Sequence, residues 1–164
     1  LGLYAEGARS ILVPNAPDLA LVPRVREFGP QAQAGAHQLS LAFNAALSLA
    51  LGQLEAAHSD LDIIPFDTYA SLNRIINAPA SYAIANTTNR CYTGDDVTFS
   101  GGGTVCADPN SYLFWDGIHP SSRVHGILGR EMLGALGIPE PASLLLVAIA
   151  LLAAGMTRRR EAAG

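Results

Sequence analysis

The chain has 164 residues, of which 49% are hydrophobic and 15% are charged, and its formal net charge at pH 7 is −4. This length accommodates one domain with a hydrophobic core, and the apolar content argues against an intrinsically disordered chain. Lysine is absent, and the fourteen acidic residues outnumber the arginines. The charge balance therefore gives no reason to expect nucleic-acid binding.

The first residues do not form a secretory signal peptide, because Leu1 is followed by neither a basic region nor an apolar core. Residues 1–9 are instead typical of the end of a helix that leads into a strand. Either a signal peptide has been removed or the chain is the C-terminal part of a longer protein, and we expect the second.

The first half of the chain predicts a strand, a long helix and a second strand. Residues 10–13 and 61–66 are short apolar runs, as buried strands require. Residues 14–30 predict a proline-rich loop, and residues 31–58 predict a helix that is too polar to span a bilayer. This order predicts a parallel strand pair joined by a right-handed crossover. The predicted apolar face of the long helix contains Leu39, Phe43, Ala46, Leu47, Ala50 and Leu54.

The second half predicts two further helices and a polar loop between them. Asp67 is a candidate N-cap of the first helix. Residues 86–112 predict a polar loop, and Pro120 predicts the first turn of a helix that Gly137 ends. The first helix is expected to bury Tyr69, Leu72, Ile75 and Ile76.

The two cysteines, Cys91 and Cys106, enclose a segment rich in Gly, Thr, Ser and Asp. An even number of cysteines without a C-x-x-C pattern or a nearby ligand cluster favours a disulfide. Closing a loop of this length contributes roughly 3 kcal/mol in the chain-entropy model. The alternative is a pair of free thiols in a cytosolic protein.

Asp116 and His119 are the candidate catalytic residues. A catalytic histidine needs an acceptor that holds its Nδ1–H, so that Nε2 is free to take a proton from a nucleophile. Gly117 allows a tight loop that folds Asp116 back onto His119. The pattern Asp-x-x-His alone is weak, since a surface aspartate beside a solvated histidine produces it by chance. A metal site at these residues is disfavoured, because His119 and His125 do not share a helix face.

The stretch Phe-Trp-Asp-Gly-Ile-His-Pro at 114–120 closely resembles the final sequence block of the GDSL/SGNH lipases and esterases. Residues 7–19 resemble the central strand of that family and the proline-rich loop after it. The resemblance spans about residues 1–136. It implies an α/β fold, namely part of an α/β/α sandwich around a parallel sheet, with residues 1–137 as the C-terminal part of the hydrolase domain.

In such enzymes the histidine, here His119, is the general base toward a serine and then the general acid toward the leaving alcohol, while Asp116 orients it. The resemblance implies an ester substrate, either an acyl lipid or an acetylated polysaccharide, and no cofactor. The family's nucleophile lies in a Gly-Asp-Ser-Leu block, and no serine of this chain has those neighbours. We therefore expect this chain alone to be inactive. The alternative is a non-enzymatic surface or matrix protein on a hydrolase-like scaffold.

Residues 138–164 resemble a PEP-CTERM sorting segment. An uncharged run over 142–157 follows the Pro-Glu-Pro motif, and three arginines follow the run. As a helix the run is about 24 Å long, which would suit a short membrane span better than a buried core helix. The resemblance implies export from a Gram-negative bacterium, transient anchoring in the inner membrane and cleavage by a dedicated peptidase, which leaves the protein periplasmic, on the cell surface or extracellular. The motif residues are Pro139, Glu140, Pro141, Arg158, Arg159 and Arg160.

Overall fold

The computed structural model describes residues 2–98 and 100–137, and the predicted sorting segment with its apolar helix lies outside them. The helices are α1 (Gly2–Ala5), α2 (Pro23–Glu27), α3 (Pro30–Ala57), α4 (Thr68–Asn77) and α5 (Ser122–Ala135). The strands are β1 (Ser10–Pro14), β2 (Asp62–Phe66), β3 (Asn86–Arg90) and β4 (Tyr112–Phe114). Short 3₁₀ turns occupy Leu19–Leu21, Pro79–Tyr82 and Pro109–Ser111.

The predicted βαβ unit is present. Strands β1 and β2 pair in parallel, with Ser10 opposite Asp62 and Pro14 opposite Phe66, and helix α3 lies between them in the chain. The carboxyl ends of both strands therefore meet at one edge of the sheet, which carries Asn15 after β1 and Asp67 after β2. Asn15 spans this edge, because its side chain donates to Asp67 and accepts from the amide of Tyr69.

Helix α3 turns toward the protein a face that only partly overlaps the one we predicted: Leu47 and Leu54 are half-buried, whereas Ala46 and Ala50 are exposed. Its one fully buried residue is Ser40, whereas the predicted core residues Leu39 and Phe43 are exposed. The Ser40 hydroxyl accepts from the Leu19 amide at 3.0 Å, and the Asn44 side chain exchanges two 2.9 Å hydrogen bonds with the backbone of Ala16. The helix is thus positioned by polar contacts with the segment after β1.

The prediction that this helix is too polar to cross a membrane needs correction. In the part of the chain that the structure describes, α3 is the one helix whose length and hydropathy would suffice for a span. Its hydrogen bonds with the segment after β1, and that of Glu55 with the Ile63 amide at 3.1 Å, attach it to the β1–β2 pair. These contacts are those of a helix that packs on a sheet.

Strands β3 and β4 form a second parallel pair, where we predicted only a polar loop over 86–112. The sequence of β3 is Asn-Thr-Thr-Asn-Arg, which has no apolar alternation to identify it as a strand. Its pairing partner is β4, whose Leu113 and Phe114 are almost completely buried. Tertiary contact with this apolar strand therefore determines the conformation of β3.

The main hydrophobic core lies around β4 and α5. Ser121 caps α5 by accepting from the amide of Val124, so the helix begins one residue after the cap. Pro120 precedes the cap and bridges back to Phe114, which corrects the prediction that this proline occupies the first helical turn. Buried residues of this core cluster are Val22, Phe66, Leu72, Ile75, Ile84, Leu113, Phe114, Val124, Ile127 and Leu128.

Helix α4 confirms the predicted cap and most of the predicted face. The Asp67 side chain accepts from the amide of Ala70 at 2.9 Å, which satisfies one of the free amides of the first turn. Leu72 and Ile75 are buried in the core, and Ile76 packs against it.

Candidate active site

The candidate site is the loop between β4 and α5, which turns back on the strand that precedes it. The amide of Trp115 donates to the carbonyl of His119 at 2.8 Å, and the amide of Ser121 donates to the carbonyl of Leu113 at 2.8 Å. These bonds bring the end of the loop alongside its beginning. A four-residue turn, Asp116 to His119, is thereby closed at its base.

The Asp116 carboxylate is the centre of this turn. Its Oδ1 accepts from the amides of Ile118 at 2.8 Å and His119 at 2.6 Å, and its Oδ2 lies 2.8 Å from the His119 Nδ1. The Asp116 side chain is only 5% exposed, whereas that of His119 is 48% exposed. The carboxylate is held from inside the protein while the imidazole reaches solvent.

The charge state of Asp116 follows from these contacts. Burial raises its pKa, but the hydrogen bonds from the His119 and Ile118 amides and from the His119 ring outweigh burial and hold the pKa below its usual range. Because the carboxylate is ionised at neutral pH, the His119 Nδ1 carries the proton of this hydrogen bond. In a neutral ring Nε2 is then the basic nitrogen, and no described residue hydrogen-bonds to it.

The predicted disulfide between Cys91 and Cys106 is present, with 4.8 Å between the two Cα atoms. It closes a segment, residues 91–106, that lies beside the candidate site. The Tyr92 amide donates to the Trp115 carbonyl at 2.6 Å, and the two rings stack with centroids 5.6 Å apart. The disulfide-closed segment is thus attached to the residue that precedes Asp116.

A second Asp–His pair, between Asp18 and His37, lies outside the candidate site. His37 Nδ1 lies 2.7 Å from Oδ2 of the buried Asp18, and the Tyr69 hydroxyl donates to the same oxygen at 3.3 Å. Burial first, and then the nearby Asp18 carboxylate, raise the pKa of Tyr69. The three residues join the segment after β1 to α3 and α4, which is a structural role. His58 packs against Tyr4, with ring centroids 4.5 Å apart.

Two clefts, of about 510 and 480 Å³, lie between α3 and the β1–β2 pair. They share Val13, Leu51 and Ile63 as lining residues, and neither is lined by Asp116 or His119. In residues 2–98 and 100–137, no three His, Cys, Asp or Glu side chains are grouped as a metal ion would require. The pairing of the His119 Nδ1 with Asp116 and the exposure of the imidazole are the arrangement that proton transfer by Nε2 requires.

The chain is similar to known proteins of one family. Residues 2–132 match the family described as GDSL-like Lipase/Acylhydrolase. The chain is similar to the GDSL esterase/lipase APG of Arabidopsis thaliana, with 32% identity over 143 residues, or 80% of this chain and 40% of the relative.

Two further relatives extend this comparison. The Esterase EstA of Pseudomonas aeruginosa is 32% identical over 144 residues, or 84% of this chain and 21% of the relative. The Anther-specific proline-rich protein APG of Arabidopsis thaliana is 29% identical over 139 residues, which are 81% of this chain and 26% of the relative. The chain thus spans between about a fifth and two fifths of the length of these relatives.

Proposed function

The chain belongs to the GDSL-like lipase/acylhydrolase family, and we propose from this premise that it supplies the acid–base pair of a serine ester hydrolase. One observation carries the proposal: the buried, ionised Asp116 holds Nδ1 of a half-exposed His119 at 2.8 Å. This is the geometry that a histidine needs if its far nitrogen is to move protons at a reacting ester.

In the proposed reaction, Nε2 of His119 takes the proton of a serine hydroxyl while the oxygen attacks the ester carbonyl. The resulting imidazolium is stabilised by Asp116 and returns its proton to the leaving alcohol as the carbon–oxygen bond breaks. Water, activated by the same Nε2, then hydrolyses the acyl-serine and restores the free hydroxyl. We assign no serine of this chain as the nucleophile, because none has the Gly-Asp-Ser-Leu surroundings. We place that serine and the oxyanion donors in a part of the full-length protein that corresponds to the remaining length of the relatives.

The test is turnover of a short-chain p-nitrophenyl ester by the full-length protein. His119→Ala is expected to lower kcat about 10²–10⁴-fold, because it removes the general acid and base. His125→Ala is the matched control, since His125 is an exposed histidine of the adjoining helix α5. Wild-type turnover by His119→Ala would refute the assignment. The alternative of a non-enzymatic surface protein would be supported if the folded wild-type protein hydrolyses no ester and is not labelled by a fluorophosphonate probe, which reacts with catalytic serines.

We propose an acyl lipid or an acetylated polysaccharide as the substrate. The two classes differ in where the ester lies, at the end of a long acyl chain or on a sugar hydroxyl. Rates on p-nitrophenyl esters of increasing chain length, compared with acetate release from an acetylated polysaccharide, distinguish them. A preference for long acyl chains supports the lipid, and rapid release of acetate supports the polysaccharide.

We also propose that residues 138–164 are a sorting segment that anchors the exported protein in the inner membrane until a peptidase cuts near Pro139-Glu140-Pro141. Support comes from the order of the motif, the uncharged run and the basic residues Arg158, Arg159 and Arg160. Replacing Pro139 and Pro141 by alanine is expected to leave an uncut precursor in the inner-membrane fraction. Identical processing and location of variant and wild type would refute this proposal.

A further inference from the structure

We infer that Asp96, on the disulfide-closed segment, is a positioning residue for the Asp116–His119 pair. The inference rests on the proposed function, since it names a group that would maintain the geometry of that site. Asp96 does not contact His119 and acts through the backbone of Gly117, the residue between Asp116 and Ile118. The sequence pattern of the site includes neither Asp96 nor its arginine partners.

The contacts of Asp96 are those of a buried, fully paired carboxylate. Its side chain is 3% exposed, and its Oδ2 accepts from the Gly117 amide at 2.7 Å. Its Oδ1 forms an ion pair with Arg24, and Nη1 of Arg90 lies 3.6 Å from Oδ2. Arg90 also pairs with Glu27. Charge partners from two other elements thus hold the Asp96 carboxylate against the turn.

The backbone of Gly117 is held on both sides. Its amide donates to Asp96, and its carbonyl accepts from the amide of Arg24 at 2.9 Å. The next two amides, of Ile118 and His119, both donate to Asp116. Three successive amides of the turn therefore point at two carboxylates. Asp96 takes the amide that Asp116 does not bind, and it stabilises the turn conformation in which Asp116 meets the imidazole.

The identity of residue 117 agrees with this arrangement. A Cβ on Gly117 would run into the carboxylate of Asp96 and would lie 3.1 Å from Nη1 of Arg90. The close approach of Asp96 thus requires glycine at this position. The Gly117→Ala variant is therefore expected to displace Asp96 without changing any charge.

The disulfide-closed segment is organised well enough to present Asp96. Tyr92 bridges to Val105, and Asp95 bridges to Gly101, so the segment folds back on itself. The Asp95 side chain accepts from the amides of Val97 at 2.9 Å and Thr98 at 3.0 Å, which closes a turn around Asp96. Asp95 and Asp96 are adjacent, yet Asp95 is directed into its own segment and Asp96 into the site.

The first experiment compares ester turnover by the full-length protein and its variants. Asp96→Ala is expected to lower kcat by about 10–100-fold with little change in KM, because misplacing a catalytic group costs rate rather than binding. Asp96→Asn is expected to recover part of the loss, because its amide oxygen still accepts from the Gly117 amide. Asp60→Asn is the matched control, because it removes an exposed aspartate charge that pairs with Arg9 and does not contact the site, and it is expected to leave kcat near the wild-type value. Equal kcat in Asp96→Ala and wild type overturns the inference.

The second experiment is hydrogen exchange of the same full-length proteins, followed by mass spectrometry. Asp96→Ala and Gly117→Ala are expected to exchange faster at residues 116–119, while α4 keeps its wild-type exchange. Unchanged exchange at 116–119 in both variants overturns the inference. If the wild type hydrolyses no ester, the proposed function is refuted independently of Asp96. The hydrogen-exchange rates at residues 116–119 then still decide whether Asp96 stabilises the turn. If Asp96→Ala is globally unfolded, Asp96→Asn and Gly117→Ala give the answer instead.

Discussion

The two parallel strand pairs that the structure describes differ in how completely their surroundings bury them. The unit of β3, β4 and α5 contains Leu113, Phe114 and Val124, which are almost wholly inaccessible to solvent. The unit of β1, β2 and α3 leaves large apolar side chains of its long helix exposed. The exposed apolar residues of α3 are Leu39, Leu41, Phe43 and Leu49.

The difference shows where the candidate site obtains its rigidity. Asp116 lies two residues after β4, and its turn is bonded to Trp115, to the disulfide-closed segment and to Arg24. Close-packed surroundings restrict side-chain positions, which a proton-transfer pair requires. Helix α3, by contrast, is held chiefly by Ser40, Asn44 and Glu55 through hydrogen bonds. The two units should therefore respond differently to substitution.

The largest expected difference comes from truncating one phenylalanine in each unit. Phe114→Ala removes a side chain that is 1% exposed and is expected to lower the free energy of unfolding by about 3–5 kcal/mol. Phe43→Ala, in α3, removes a side chain that is 52% exposed and is expected to change it by less than about 0.5 kcal/mol. Urea unfolding of the 164-residue chain measures both. Equal losses would mean that the α3 unit is as well packed as the other.

Removing the disulfide is expected to have the next largest effect. The Cys91→Ala/Cys106→Ala variant should lose about 3 kcal/mol of unfolding free energy, because the unfolded chain regains the freedom of a closed loop of this length. Adding a reductant to the wild type distinguishes the effect of losing the disulfide bond from the effect of replacing the cysteine side chains. The reductant should destabilise the wild type and leave the variant unchanged. A wild type that is insensitive to reductant would show that this crosslink does not stabilise the site unit.

The smallest expected effect is the pH dependence that Asp116 contributes. Its pKa in the folded protein lies below the ordinary value of 3.8, so the unfolded chain binds the proton more tightly. The stabilising contribution is therefore complete above about pH 4 and is lost as pH falls through the lower folded-state pKa. Urea midpoints of wild type and Asp116→Asn should differ most at neutral pH and converge below pH 4. A gap that stays constant with pH would contradict the pairing.

The elements that sequence predicted well have strong local signals. Strands β1 and β2 are rich in branched apolar residues, and Asp67 stands where a helix cap is needed. The Asp116–His119 pair could be predicted because its residues are three positions apart, so that one tight turn brings them together. For the cap and for the Asp–His pair, the deciding interaction joins residues three positions apart in the sequence.

The features that sequence missed are decided by distant partners. Leucine and alanine occur on every side of α3, so apolar spacing does not identify its inward face, which Ser40 and Asn44 determine through bonds to the segment after β1. The Asp18–His37 pair joins residues nineteen positions apart, and Asp96 reaches Gly117 across twenty-one. No local pattern in the sequence distinguishes Asp96, which is buried and contacts the site, from its half-buried neighbour Asp95.

The most direct test of the central claim, that Asp116 and His119 act as one proton-transferring unit, is a double-mutant cycle on ester turnover by the full-length protein. The measured quantity is kcat/KM for wild type, Asp116→Asn, His119→Ala and the double variant. If Asp116 acts only through the imidazole, the double variant should be no slower than His119→Ala alone. Losses that multiply in the double variant would show that the two residues act independently and would contradict the account.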